Sequence, residues 1–537
     1  MKLTYEGITD RTAWQKAGIE LPSYNPELAR ANALAAPEWI HFGIGNIFRV
    51  FIGSIADQLL SEGKMKTGLI CAETYDTELV DRIYRPHDNL VLSVILNADG
   101  TRQKKVYGAF AEAIRAEQAD AEQWNRLKEV FASPSLQMVS FTITEKGYAL
   151  KGADGEYFPF VRQDIEGGPS AVKSVIAVVT SMLYERYRAG AYPIALVSLD
   201  NCSQNGRKLA EAVHCIAESW EERGFVDQDF LRYVSDETRV AFPWTMIDKI
   251  TPRPLESLTE EWKAYGVEDM DIIVTDKHTF IAPYGNAEKP QYLVIEDSFP
   301  NGRPPLEKAG VFMTDRDTVN RSEKMKVTVC LNPLHTALCT YDCMFGYELF
   351  AEGMKDPDLL ALAERIGYAE GMPVVENPGI LSPKAFLDEV LKERFPNPYL
   401  GDTSQRIATD ISQMVGIRFG ETVRSYVKRD GTAASLIGIP LAIAGWLRYL
   451  LALDDNGQPM QLAPDPMIPE LQERLKGIRL GENANIHEHL AGILSNERIF
   501  GSDLYAAGIG DRIEQIFAEE IAGPGAVRVT LHKYISE

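Results

Sequence analysis

Short β-rich runs alternate with helical patterns through the first half of this chain, and this alternation limits the possible folds more than any other feature. Strands separated by helices form a largely parallel sheet covered by helices, which is an α/β fold. The helical patterns include Ile47–Glu62 and Ser174–Ala189. The predicted strands are Trp39–Gly43, Gly68–Ala72, Leu90–Leu96, Gln137–Thr142, Pro193–Leu199, Asp271–Thr275 and Tyr292–Ile295.

The pattern changes near Asp315. Beyond this residue apolar side chains recur at helical spacing and strand-like runs become rare, so this part is predicted to be mainly helical. A Gly/Pro-rich stretch, Phe299–Leu306, separates the two regions. We therefore predict an α/β domain over residues 1–310 and a mainly α-helical domain over residues 311–537, with a ligand site in the cleft between them. Helical patterns are found at Met325–Phe350, Pro357–Ala369, Pro383–Arg394, Ser404–Met414 and Leu436–Leu453.

The formal net charge of −22 limits the partners that the chain can bind. An acidic surface repels phosphate backbones and anionic membranes, so neither nucleic acid nor a membrane is expected as a partner. The most apolar stretch, Leu436–Leu447, contains Pro440 and ends at Arg448, well short of the ~20 residues that span a bilayer. A small anionic substrate remains possible, because local positive groups can override the overall field.

The six cysteines form no Cys-x-x-Cys pair, which indicates reduced thiols in a cytoplasm rather than a disulfide framework. The first residues lack the continuous apolar run of a signal peptide. We therefore expect a cytoplasmic protein. His487-Glu-His489 is a weak candidate metal pair, because its surroundings are typical of a helix or loop, and no metal site is predicted.

A glycine turn follows the first predicted strand. Gly43 permits a tight turn, Gly45 allows a ligand to approach the backbone, and the helix beginning at Asn46 and Ile47 offers free N–H groups and partial positive charge. These features suit a pyrophosphate. The third glycine of the usual Gly-x-Gly-x-x-Gly pattern is replaced by Phe48, so a simple tight turn is the alternative.

The next predicted strand ends at Glu73, and Asp76 follows closely. An acidic residue at this position binds the hydroxyls of the adenosine ribose and repels a 2′-phosphate. Glu73 therefore favours NAD over NADP as the cofactor. The alternative is a solvated acid in a loop.

Lys326, Asn332 and His335 follow one another at short spacing, with Glu323 one helical turn before the lysine. A ketone–alcohol interconversion needs a proton-transfer group and donors for the developing alkoxide. Lys326 can transfer the proton if burial or a nearby cation lowers its pKa. Asn332 can donate to the oxygen, neutral His335 can orient a hydroxyl, and Glu323 can exchange protons with water.

Each residue of this cluster also has a structural alternative. Lys326 could be a solvated surface lysine, and His335 a hydrogen-bonded core histidine. Asn332 is followed by Pro333, a pattern that fits a helix cap.

Several spaced motifs, spread over nearly the whole chain, are those of one known family. They are Lys326-x5-Asn332-x2-His335, His41-Phe-Gly-Ile-Gly45 with Phe48-Arg49, Ser198-Leu-Asp-Asn-Cys202, Phe242-Pro-Trp-Thr-Met-Ile-Asp248 with Thr251-Pro252, Val294-Ile-Glu-Asp297, Gly302-Arg-Pro-Pro305 and Asp402-Thr-Ser-Gln-Arg406. In these motifs the chain resembles the mannitol dehydrogenase family of polyol-specific long-chain dehydrogenases. The resemblance implies a Rossmann-type N-terminal domain, a mainly helical C-terminal domain, an NAD cofactor and no metal.

The resemblance also implies roles for individual residues. Lys326 corresponds to the general acid/base, Asn201 and Asn332 to the donors that stabilise the oxyanion, His335 to the residue that aligns the substrate, and Glu323 to a proton conduit. Two further positions, Asp248 and Arg406, match residues that line the substrate pocket.

The chain departs from the family pattern near its predicted substrate pocket. The family often has a substrate-binding lysine where this chain has Met414, and Arg418 one helical turn onward could supply the cation instead. Trp244 also stands where mannitol enzymes usually differ. Both departures indicate a different pocket.

Three segments look most like the enzymes of this family that interconvert D-fructuronate and D-mannonate. They are Leu331–Ala337, Gly416–Thr422 and Ile250–Pro254. A uronate carries a carboxylate, for which Arg253, Arg406 and Arg418 are candidate partners. We therefore expect reversible reduction of D-fructuronate to D-mannonate with NADH.

Other functions stay open. Within the family these are the activities of mannitol 2-dehydrogenase, arabinitol dehydrogenase and tagaturonate reductase. Outside it, Lys326 could form a Schiff base as in aldolases, or the chain could be a nucleotide-sensing module without turnover.

Overall fold

A computed structural model describes residues 1–152, 154–482 and 485–536. The chain divides into two compact units, Met1–Asn320 and Arg321–Glu537. The boundary predicted from the sequence lies ten residues earlier, at residue 310. No helix in the described part of the chain is both long and apolar enough to cross a membrane.

The first unit is built of strands and α-helices. Its strands are β1 Trp39–Phe42, β2 Leu69–Glu73, β3 Val91–Leu96, β4 Arg102–Tyr107, β5 Phe110–Arg115, β6 Met138–Phe141, β7 Ile194–Ser198, β8 Val240–Ala241, β9 Thr245–Asp248, β10 Ile273–Val274, β11 Phe280–Ile281, β12 Tyr284–Glu288, β13 Tyr292–Glu296 and β14 Phe312–Thr314. Its helices are α1 Arg11–Lys16, α2 Pro26–Ala35, α3 Gly53–Ser61, α4 Ala121–Ala132, α5 Thr144–Tyr148, α6 Pro159–Gly167, α7 Val175–Gly190, α8 Asn205–Glu222, α9 Gln228–Ser235 and α10 Glu256–Ala264.

Six strands form one sheet in the order β5-β2-β1-β6-β7-β8, and every neighbouring pair is parallel. Numbered along the chain, this order is 3-2-1-4-5-6, which is the Rossmann order. The strand order reverses between β1 and β6, where Phe42 pairs with Phe141. The predicted fold class is therefore confirmed. In such sheets ligands bind beyond the carboxyl ends of the strands at this reversal.

Alternate residues of the strands enter two cores, one on each face of the sheet. In β1, Ile40 and Phe42 belong to the core that α4, α7 and α8 cover, whereas Trp39 belongs to the core on the α3 side. All four residues of β1 are buried. Burial on both faces explains why this strand is a continuous apolar run rather than an alternating one.

Three predicted strands, β3, β10 and β13, lie outside the main sheet. Strand β3 pairs with β4 and β12, and β13 pairs with β9 and β14, in two separate three-stranded sheets. The main sheet instead gains β5, whose sequence Phe-Ala-Glu-Ala-Ile-Arg is rich in helix-forming residues. Pairing with β2 overrides this local preference. The short hairpin β10–β11 follows α10.

The second unit is mainly helical. Helix α11 Arg316–Met325 spans the boundary and leads into a π-helical turn, Lys326–Cys330. Every residue of α19 is buried, so this helix forms the centre of the unit. The other helices are α12 Asn332–Phe345, α13 Phe350–Gly353, α14 Pro357–Glu364, α15 Pro383–Glu389, α16 Ser404–Ile407, α17 Ile411–Arg418, α18 Gly420–Asp430, α19 Gly438–Tyr449, α20 Ile468–Arg474, α21 Ile486–Leu494, α22 Glu497–Phe500, α23 Gly510–Glu520 and α24 Ala526–Ser536.

Candidate active site

The turn after β1 requires glycine at its first position. Gly43 has a φ of +94°, and a Cβ there would lie 2.1 Å from the backbone oxygen of Thr142. Gly45 is different, because a Cβ there would meet no atom within 4 Å. Helical backbone begins at Asn46 and Ile47 and continues through the π-helical turn Phe48–Ile52 into α3. The turn therefore combines a tightly packed residue with an open one beside a helix start, a combination that a pyrophosphate needs.

Glu73 stabilises this turn. Its Oε2 accepts a hydrogen bond from the Ile44 N–H at 3.1 Å, and its Oε1 accepts from the N–H groups of Thr74 and Tyr75 at 3.0 and 2.9 Å. The carboxylate thus links the end of β2 to the glycine turn of β1. Its predicted contact with a ribose stays a prediction, and the backbone contacts give it a second, structural role that the sequence did not indicate.

The loops after β6 and β7 are fixed by Asp200. Its carboxylate accepts from the N–H groups of Ile143 and Thr144, each at 2.9 Å, and from the Tyr148 hydroxyl at 2.6 Å. Burial raises the pKa of Asp200. Asn201, the predicted oxyanion donor, follows directly at the carboxyl end of β7, so it lies on the same edge of the sheet as the glycine turn.

A wide cleft of about 1180 Å³ opens beyond the carboxyl ends of β2 and β5. It begins at Thr74, next to Glu73, and its floor includes Arg115, which pairs with Asp81 and Asp120. Acidic residues outnumber basic ones in its lining. The charged residues of the lining are Asp76, Glu78, Asp81, Arg115, Glu117, Asp120, Lys173, Asp276 and Lys277.

Two predicted substrate contacts also lie in the first unit. Asp248 is the last residue of β9 and is buried. Arg253 is exposed, and its guanidinium lies 5.2 Å from the centre of the Phe280 ring. Trp244 lies between β8 and β9, and its ring faces the Arg316 guanidinium at 5.3 Å.

In the second unit, Lys326 is the first residue of the π-helical turn and is only 2% exposed. It is therefore not the solvated surface lysine that the sequence left open. Single π-helical turns within helices are frequent at functional sites. Glu323 precedes it on α11.

Asn332 is the first residue of α12 and not its N-cap, because the N-cap position is Leu331. The Oδ1 of Asn332 is buried, and within residues 1–152, 154–482 and 485–536 no group donates to it. The predicted contact of this amide with the substrate oxygen stays a prediction.

His335 lies one turn further along α12, between two aromatic rings. Its ring stacks on Phe395 at 4.5 Å and meets the edge of Phe350 at 5.0 Å. Burial, helped by the nearby charges of Arg418 and Arg394, lowers the pKa of His335 to about 3. The imidazole is therefore neutral at physiological pH, as alignment of a hydroxyl requires.

Arginines surround His335 in this otherwise acidic chain. Arg418, on α17, donates from Nη1 to the Thr336 hydroxyl at 2.6 Å, and burial lowers its pKa. Arg406 is exposed and forms an ion pair with Asp402. The sequence did not single out Arg394, which is 2% exposed; its one signal was a charged residue at the end of an apolar helical pattern.

Comparison with known proteins gives the class of protein that this fold and these residues define. The model of the mannitol dehydrogenase Rossmann domain matches residues 37–308, and that of the mannitol dehydrogenase C-terminal domain matches residues 318–518. The chain belongs to the mannitol dehydrogenase family and is an oxidoreductase. The resemblance that the sequence motifs carry is confirmed.

Two relatives of the chain are named for the same activity. The chain is 48% identical to D-mannonate oxidoreductase of Thermotoga maritima over 538 residues, which are 100% of this chain and 99% of that protein. It is 28% identical to D-mannonate oxidoreductase of Escherichia coli, over 88% of this chain and 94% of the relative.

Two solved structures share the fold at 24% identity. Substrate-free D-sorbitol dehydrogenase superimposes with a TM-score of 0.76 over 95% of this chain and 97% of the other. Pseudomonas fluorescens mannitol 2-dehydrogenase, in a ternary complex with NAD and D-mannitol, gives a TM-score of 0.70 over 100% of both chains.

Proposed function

We propose that this protein reversibly reduces D-fructuronate to D-mannonate with NADH. The observation that carries the proposal is the group of arginines near neutral His335, of which Arg418 is partly buried and hydrogen-bonded to Thr336. A carboxylate substrate needs a guanidinium partner, whereas a neutral polyol does not. The 48% identity to a D-mannonate oxidoreductase supports the same substrate.

The first unit suits a dinucleotide. Gly43 and Gly45 supply the turn, and the helix start at Asn46 and Ile47 supplies free N–H groups for the pyrophosphate. When bound, the nicotinamide supplies the hydride to the ketone or accepts it from the alcohol.

The residues of the chain handle the proton and the oxygen. In the reducing direction Lys326 donates a proton to the carbonyl oxygen as the C–O double bond becomes a single bond, and in the oxidising direction it takes that proton back. Asn201 and Asn332 donate hydrogen bonds to the oxygen as negative charge develops on it. His335 holds a substrate hydroxyl in register, and Glu323 returns the proton between Lys326 and water.

NAD rather than NADP is proposed because of the acidic cleft beyond β2. Asp76 is buried at its edge, and Glu78 and Asp81 add negative charge to its lining. A 2′-phosphate there would meet this carboxylate and the surrounding acids at short range, which is unfavourable.

The anchor of the substrate carboxylate is proposed to be Arg418. Arg406 is a weaker candidate, because it is exposed and already paired with Asp402. Arg253 is also weaker, because its guanidinium lies over the Phe280 ring. The Thr336 hydroxyl fixes the Arg418 guanidinium on the helix that also carries His335. Met414 lies one turn earlier on α17, at the position where the family often has lysine. Arg418 is therefore the cation of this helix.

The test is oxidation of NADH by purified protein with D-fructuronate, D-tagaturonate and D-fructose in parallel. Turnover on fructuronate should vanish in Lys326→Ala. The matched control is Lys324→Ala, two residues before Lys326. It removes a half-exposed lysine that pairs with Glu376, and it should leave turnover unchanged.

The possible outcomes separate the parts of the proposal. Preference for fructose or tagaturonate would keep the proton-transfer role and refute the substrate. Full activity of Lys326→Ala would refute the role of the lysine. Absence of turnover on all three, with NADH still bound, would favour the sensor.

A further inference from the structure

Tyr75 is an exposed aromatic side chain in the loop after β2. It follows the end of β2 by two residues, lines the wide cleft, and is 69% exposed. Single exposed aromatic side chains are common on protein surfaces, so exposure alone indicates nothing. Its place matters because the cleft starts beside Glu73, whose carboxylate holds the glycine turn.

A second element holds this part of the cleft. The tip of the β10–β11 hairpin contacts the loop that carries Tyr75: the Thr275 hydroxyl donates to Asp76 Oδ2 at 2.7 Å, and the Asp276 N–H donates to Glu78 at 3.1 Å. The Lys277 ammonium lies 5.0 Å from the centre of the Tyr75 ring. A cation at this distance stabilises the ring in one orientation.

The geometry points to Tyr75 as the stacking surface for the adenine of the dinucleotide, on the ring face opposite Lys277 of the hairpin tip; this inference rests on the proposed use of NAD(H). The cleft lies beyond β2 and β5, whereas Asn201 follows β7, on the other side of β1 in the sheet. The adenosine half of a dinucleotide therefore lies on the Tyr75 side. A purine presents a flat π-face that an exposed, pre-oriented aromatic ring can cover.

The inference is tested with ADP-ribose, which contains the adenosine and both phosphates but no nicotinamide. Calorimetry on the full chain should show that Tyr75→Ala weakens ADP-ribose binding by about tenfold, whereas Tyr75→Phe binds like the wild type, because the ring alone supplies the stacking. Lys277→Met should weaken binding by about threefold, through a less ordered ring. Val529→Ala removes another highly exposed side chain, in the second unit, and serves as the control.

Kinetics give an independent readout. Tyr75→Ala should raise the KM for NADH by about the same factor and leave kcat unchanged, because the ring contacts only the adenosine end. Reduced nicotinamide mononucleotide, which lacks adenosine, should be used equally well by the variant and the wild type.

Each outcome decides the inference. Wild-type affinity of Tyr75→Ala for ADP-ribose would overturn it, and so would an equal loss with reduced nicotinamide mononucleotide, which would indicate a general disturbance of the fold. Tighter binding by Lys277→Met would overturn the role of the hairpin. A wild type that binds neither ADP-ribose nor NADH would refute the proposed function itself, and the inference with it.

Discussion

The two glycines of the turn after β1 should respond to alanine in opposite ways. Gly43→Ala places a methyl group 2.1 Å from the Thr142 oxygen at a φ of +94°. The left-handed backbone costs about 1–2 kcal/mol and relief of the clash another 1–3 kcal/mol, so the free energy of unfolding should fall by about 2–5 kcal/mol. Gly45→Ala meets no atom within 4 Å, so stability should change by less than about 0.5 kcal/mol.

For cofactor binding, Gly45→Ala is the substitution that should have the direct effect. If the pyrophosphate approaches the backbone at Gly45, the added methyl group occupies its path, and NADH affinity should fall by about tenfold or more in a protein of normal stability. The measurements are thermal or urea unfolding and NADH titration by fluorescence. Gly63→Ala is the matched control for Gly43→Ala, because Gly63 has a φ of +65° with open space around it.

Two results would refute this reasoning. If Gly43→Ala lost no more stability than Gly63→Ala, the contact with Thr142 would be relieved by relaxation, and glycine would be required there for its φ alone. If Gly45→Ala bound NADH like the wild type, the dinucleotide would not approach this turn.

Four further substitutions test the second unit. Arg418→Gln should raise the KM for D-fructuronate by about tenfold or more and affect a neutral polyol far less, whereas Arg406→Ala should do so more weakly; equal losses on both substrates would contradict a carboxylate contact. Burial raises the pKa of Glu520 to about 8, so wild-type stability should fall by about 1.4 kcal/mol per pH unit as the pH rises from about 4.5 to 8, where the unfolded state has lost a proton that the native state keeps. Glu520→Gln should remove that fall and be more stable by roughly 3 kcal/mol at neutral pH in urea unfolding. For His335 the sign is opposite: its pKa is lowered to about 3, so stability is lost as the pH falls below about 6.5, and unfolding of His335→Gln between pH 6.5 and 5 should be less pH-dependent. For Glu520 and for His335, identical pH dependence of stability in the variant and the wild type would contradict the pKa shift assigned to that residue.

Residue spacing was enough to single out Lys326, Asn332 and His335 as candidates, because the proposed chemistry requires particular side chains at short separations. Lys326 and His335 lie nine residues apart, and the structure places Lys326 in the π-helical turn and His335 on α12. The sequence missed Arg394 because an arginine at a helix end usually lies in solvent, and burial there depends on packing from distant segments. It also missed the backbone contacts of Glu73, which join two strands.

The sequence by itself determined the fold class and four of the six strands of the main sheet, β1, β2, β6 and β7. Apolar runs such as Trp39–Phe42 and Ile194–Ser198 are buried on both faces, and this burial fixes a continuous apolar pattern that can be read locally. The need for glycine at residue 43 was equally local, because a positive φ is a property of one residue.

Only the tertiary structure decided the partners of those strands and the ionisation of the site. Strand β5 forms because β2 lies beside it, although its own residues favour a helix. The neutrality of His335 comes from two aromatic rings and from arginines that are distant in sequence. Strand pairing and desolvation are sums over contacts between segments far apart in the chain, so no local pattern of residues encodes them.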